Sequence, residues 1–127
     1  MIPELEGVTG SLLKLALDAA VLTQRVAADN IANAQSPNFA LGRVSFEHQL
    51  AAVRATLAGG GRVDAGMLRG IAPLVERSAP SGAPNHVGQL DMEAALLGEN
   101  SVRYQALLKA WSKHHSLLAL AIGEGKH

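Results

Sequence analysis

The sequence predicts an all-α fold: long N-terminal and C-terminal helices packed as an antiparallel coiled-coil-like pair, with a short middle helix and a Gly/Pro-rich flexible connector. Three observations carry this. Apolar residues recur at three- and four-residue spacing through both ends of the 127-residue chain. Aromatic residues are only 3% of it although 48% is apolar, so Ala and Leu carry the burial. Such a composition favours long helices at close approach over a core built on large rings. Between residues 59 and 89 the chain turns rich in Gly, Pro and Ser, as in Ala79-Pro80-Ser81-Gly82-Ala83-Pro84. The chain therefore divides into 1–58, 59–89 and 90–127.

The first helix is expected from Thr9 or Ser11 to Gln35. Leu13, Leu17, Ala20, Ala27 and Ile31 form one stripe, interrupted by Gln24, and Leu12, Ala16, Ala19 and Val26 lie on an adjacent one. The resulting apolar arc is wider than one facing helix can cover. Asn30 and Asn33, three apart, share a face near the end of this helix. Pro37 then biases Ser36 out of the α region and stops the helix. Asn38 is the non-glycine residue suited to a positive φ in the following turn, and Phe39 re-enters an apolar environment.

A short helix follows. Phe46, Leu50, Val53 and Leu57 keep helical spacing after Ser45, a candidate N-cap, and Gly59-Gly60-Gly61 ends the run. The connector offers few large anchors beyond Met67, Leu68, Ile71, Leu74 and Val75, with short extended pieces expected around Ile71 to Glu76. The last helix is expected to start at Asp91 as N-cap, with Glu93 in the first turn against the positive dipole end. It runs to Ile122 and stops at Gly123-Glu124-Gly125. Leu97, Tyr104, Leu108, Trp111, His115, Leu118 and Ile122 fall at gaps of 7, 4, 3, 4, 3 and 4, which is coiled-coil spacing. About 30 residues of helix span roughly 45 Å.

Function classes drop out on composition. Lys+Arg and Asp+Glu number 11 each and form no basic stripe, so nucleic-acid binding is not expected. With 0 cysteines there is no disulfide or thiolate chemistry. Met1–Glu6 has two acids and no basic region, so no secretory signal peptide is expected; Lys14 and Asp18 break the apolar run that follows, and no membrane insertion is expected. His114 and His115 are adjacent and point about 100° apart on a helix, so no metal site is expected, with His115 in the seam and His114 beside it. No catalytic motif, phosphate loop or dinucleotide fingerprint appears, so neither an enzyme nor a cofactor is expected.

Ala28-Asp29-Asn30-Ile31-Ala32-Asn33-Ala34 followed by Ser36-Pro37-Asn38-Phe39 closely resembles the ANNIANA-x-TPGY segment of the bacterial flagellar rod, hook and hook-associated proteins. Asp91-Met92-Glu93 and Glu99-Asn100-Ser101-Val102-Arg103-Tyr104-Gln105 look like the C-terminal helix of the proximal-rod members of that family, and Phe46-Glu47-His48-Gln49-Leu50 fits the same members. The resemblance covers roughly the first fifty and the last forty residues. Ser36, Asn38 and Phe39 stand where the family has Thr, Gly and Tyr. Asn85-His86-Val87-Gly88-Gln89-Leu90-Asp91 departs from the family's N-x-V-D-L-D by one extra residue and a missing aspartate.

The resemblance implies a subunit of the flagellar basal-body rod, exported uncleaved through the flagellar type III apparatus. Its partners are then other rod subunits, the rod-base adaptor FliE and, in transit, the export gate. Terminal helices build such a tube, which places Leu13, Leu17, Ile31, Pro37 and Phe39 at subunit interfaces, with Tyr104, Leu108, Trp111, Leu118 and Ile122 from the last helix. Asn30 and Asn33 have two readings: capping the fraying helix end, or bonding to neighbouring subunits to set register, as Asn100 also could. Phe46 and Leu50 are either an amphipathic helix start or a short export signal. A different class, a soluble helical adaptor or export chaperone acting as a monomer or small oligomer, predicts a stable chain that does not polymerise.

Overall fold

The computed structural model describes residues 3–78 and 86–124. Four helices and one two-stranded sheet follow in the order α1 (Pro3–Ala32), β1 (Gly42–Ser45), α2 (Glu47–Ala58), α3 (Ala65–Arg69), β2 (Leu74–Arg77) and α4 (His86–Glu124). The chain is mostly helical, and its N-terminal and C-terminal helices pack together. No helix among the described residues is long and apolar enough to cross a membrane.

Helix α1 begins earlier than its sequence spacing predicts, at Pro3 rather than at Thr9 or Ser11. Gly7 and Gly10 lie within it, where the helix passes close to a neighbour. A Cβ on Gly7 would sit 3.4 Å from Ala65, and one on Gly10 would sit 3.5 Å from Nε2 of His114. Packing thus overrides weak local propensity. The helix also ends earlier, at Ala32 rather than Gln35. Asn33 N–H still donates to Asp29 O at 3.0 Å, while Ala34 donates to Ile31 O and Ser36 to Asn33 O, so the spiral tightens before Pro37. Asn38 does not take a positive φ: Gly60 alone does among the described residues.

Four-residue strands β1 and β2 pair antiparallel, Gly42 opposite Arg77 and Ser45 opposite Leu74. Ser45, expected to cap α2, instead closes β1, and Phe46 precedes the helix with no side-chain cap bond. Helix α2 ends in a glycine turn in which Gly60, at φ 79°, supplies the left-handed residue.

The expected flexible connector of 59–89 is not featureless. It holds α3, whose N-cap Asp64 accepts from Met67 N–H at 2.8 Å, then β2, then the first turn of α4. Leu68 and Ile71 anchor this segment, both buried; among the described residues the other buried apolar side chains are Ala20, Val26 and Ala27. The run Ala79–Pro84 and Asn85, together with Gly125, lie outside the described residues. Helix α4 starts at His86, so Asp91 is an exposed interior residue and not an N-cap. Its 39 residues span about 58 Å at 1.5 Å each.

Contacts between the two long helices run in opposite numerical order. Asn30 meets Glu93, Ala20 and Gln24 meet Asn100, and Gly10 lies beside His114. Small residues on α1, notably Ala20 and Ala27, let α4 approach this closely.

Candidate assembly interface

The three buried polar residues of the described chain, Asn30, Glu93 and Asn100, all lie where α1 meets α4. Asn30 is 0% exposed near the end of α1 and behaves as a strand partner for β1. Its Oδ1 accepts from Gly42 N–H at 3.0 Å, and its Nδ2 donates to Gly42 O at 3.0 Å and to Oε2 of Glu93 at 3.2 Å. A Cβ at Gly42 would lie 3.0 Å from Val26 and 3.2 Å from Val75, so any side chain there presses both valines aside.

Glu93, also 0% exposed, completes the junction. Oε1 faces Nη2 of Arg43 at 2.6 Å and accepts from Nε2 of Gln89 at 3.2 Å. Arg43 also donates to Gly42 O at 2.9 Å. A carboxylate removed from water is costly unless paired and hydrogen-bonded, and here both oxygens are engaged. The arrangement holds α1, β1 and α4 together. Glu93 is therefore not a first-turn dipole residue.

Asn100, 2% exposed, donates to Ala20 O at 2.8 Å and to Oε1 of Gln24 at 3.1 Å. Its Oδ1 is buried and has no partner among the described residues. Beside it, between α1 and α4, runs a groove of about 550 Å³ whose walls include Val21, Arg25, Ala28 and Tyr104.

These polar residues set the phase of the seam. Glu93, Leu97, Asn100, Tyr104, Leu107, Trp111, His114, Leu118 and Ala121 form a covered row at alternating gaps of 4 and 3, with Leu96 and Ser101 half-buried beside it. Leu97, Tyr104, Trp111 and Leu118 are shared with the expected seam, which repeats every seventh residue. Leu108, His115 and Ile122 turn outward instead, their places taken by Leu107, His114 and Ala121. An apolar pattern alone cannot separate these phases, because the deciding residues are polar. Trp111 sits between the histidines, its ring edge-to-face with His115 at 4.5 Å and 6.5 Å from His114.

The other expected interface residues fall in different places. Leu13, Leu17 and Ile31 are half-buried on α1. Asn30 is buried, its side chain bonded to Gly42 and Glu93 within the chain. Asn33 is half-buried and returns its Nδ2 to Asp29 O at 2.9 Å and Asp29 Oδ1 at 3.2 Å, which is the capping arrangement. Pro37 is exposed, while Phe39 lies under the Arg77 guanidinium, 5.6 Å from the ring centroid. Arg77 further donates to Ala40 O and faces Asp29 at 3.7 Å, tying β2 to the turn after α1. Phe46 and Leu50 are both half-buried, one helical turn apart, with Leu50 N–H donating to Phe46 O at 3.0 Å.

Glu93, Arg43, Gly42 and Gln24 complete the buried polar contacts and were not singled out from sequence as partners of Asn30 and Asn100. One signal was there: Gln89, Glu93 and Asn100 are four and seven residues apart, on one helix face.

A wide apolar surface stays outside the packed pair. Val102 is 69% exposed, Leu120 63% and Ile122 59%, with Met92, Leu117 and, on α1, Leu12 and Val21 also exposed. Comparison with family models, curated proteins and solved structures returned no match.

Proposed function

We propose that this chain is a structural subunit of the proximal rod of the bacterial flagellar basal body, of the type called FlgB, with its relative FlgC the nearest other assignment. It polymerises through α1 and α4, transmits torque and lines the export conduit; it is not an enzyme and uses no cofactor. In this reading the long helices are an antiparallel coiled-coil-like pair. The subunit leaves the cell uncleaved by type III export and contacts other rod subunits and the adaptor FliE.

The observation that carries the reading is the apolar face left open along the outer side of α4, with a second on α1. At about 25 cal/mol per Å², a few hundred Å² of such surface forgoes several kcal/mol unless a neighbour covers it. Residues 28–39 and 99–105 add the sequence resemblance.

Sedimentation velocity with circular dichroism, across a concentration series of the purified chain, tests this. Helical species that grow with concentration support the rod-subunit reading. A compact helical monomer at every concentration replaces it with the adaptor or export-chaperone reading.

A further inference from the structure

We infer that the groove between α1 and α4 receives the outer face of α4 from a second copy of this chain, in a head-to-tail contact; this rests on the assembly reading above. Two groove residues carry polar groups with no partner among the described residues. Arg25 in its wall has no ion-pair partner among the described residues. Asn100, on the same wall, keeps a buried Oδ1 with no donor. Its α1 wall adds the small or apolar Ala20, Val21 and Ala28 beside Gln24, and its α4 wall adds Ser101, Tyr104 and Gln105, a mixed surface that suits a ridge of modest side chains.

The same chain carries such a ridge. Glu99, Val102, Ala106, Ala110, Leu117 and Leu120 are exposed and spaced 3, 4, 4, 7 and 3 apart, one face of α4. At about 100° per residue, Val102 lies about 200° around the helix from Asn100, so ridge and groove are on different sides of one subunit. Groove and ridge thus cannot close as an isologous pair; each copy offers a groove to one neighbour and a ridge to another, and the contact propagates.

Charge decides the register. Glu99 and Arg103 form an exposed pair at 2.9 Å on the ridge. Such a pair contributes little on a free surface and exchanges partners readily. Seated in the groove, Glu99 of the second copy meets Arg25.

The test is charge reversal at both sides. Light scattering on the full chain is expected to show Arg25→Glu and Glu99→Arg each raising the concentration needed for assembly at least about tenfold. An equimolar mixture of the two variants restores assembly, because each supplies the complement the other lacks. Val102→Glu, on the ridge, abolishes assembly with helix content unchanged. Wild-type assembly by either charge variant, or by Val102→Glu, overturns the inference while leaving the subunit reading in place, and so does a mixture that stays dissociated. A wild-type chain that never assembles overturns both.

Discussion

Around Glu93 the polar groups of α1, β1 and α4 are matched group for group: Asn30 with both backbone groups of Gly42, and Glu93 with Arg43, Asn30 and Gln89. Twenty-four residues further along the same helix, Leu117 and Leu120 stand in solvent. The inward face of α4 is closed by the chain itself, while its outer face, from Met92 to Leu120, is exposed. A residue buried on the inward face shapes the subunit, whereas one exposed on the outer face is accessible to a neighbour. Asn30 sits on the buried side, where its side chain ties Gly42 of β1 to Glu93 of α4.

The contrast is sharpest at Asn30. Asn30→Ala leaves the buried N–H of Gly42 without an acceptor and takes a donor from Glu93. At about 1–3 kcal/mol per unsatisfied group, the loss is expected to be about 3 kcal/mol, measured by urea unfolding. Gly42→Ala forces a methyl against Val26 and Val75, and about 1–2 kcal/mol is expected, together with loosened strand pairing seen by amide hydrogen exchange at residues 42–45. Glu93→Gln keeps the volume and one acceptor but removes the charge facing Arg43. Because Arg43 is half-exposed, about 1 kcal/mol is expected.

Leu117→Ser with Leu120→Ser is expected to move monomer stability by no more than about 0.5 kcal/mol, since both side chains are already wet. The same double variant should lose concentration-dependent growth in sedimentation velocity. Assembly unchanged in it would remove Leu117 and Leu120 from the interface.

Much of this architecture was readable along the chain. Leu13, Leu17, Ile31, Tyr104 and Trp111 lie on helices because their spacing is helical, and helix formation is a matter of neighbours three and four residues apart. The glycines after α2 ended it where expected. The strand pair was not readable. Gly42–Ser45 and Leu74–Arg77 are four residues each, carry no shared turn, and are joined through α2 and α3. Their pairing depends on partners some thirty residues away, which local pattern does not encode.

The phase of the α4 seam shows the same limit. Leu108 and Leu107, or His115 and His114, satisfy heptad spacing equally well, so periodicity alone allowed either. Glu93 and Asn100 decided between them, because a buried carboxylate or amide tolerates only the rotation that brings it to Arg43, Asn30 and Ala20. Local backbone chemistry and apolar spacing therefore determined that two long helices form and that more apolar surface exists than they can hide. Which face turns inward, and that Asn30 works inside the chain, was decided only when distant polar groups met out of water.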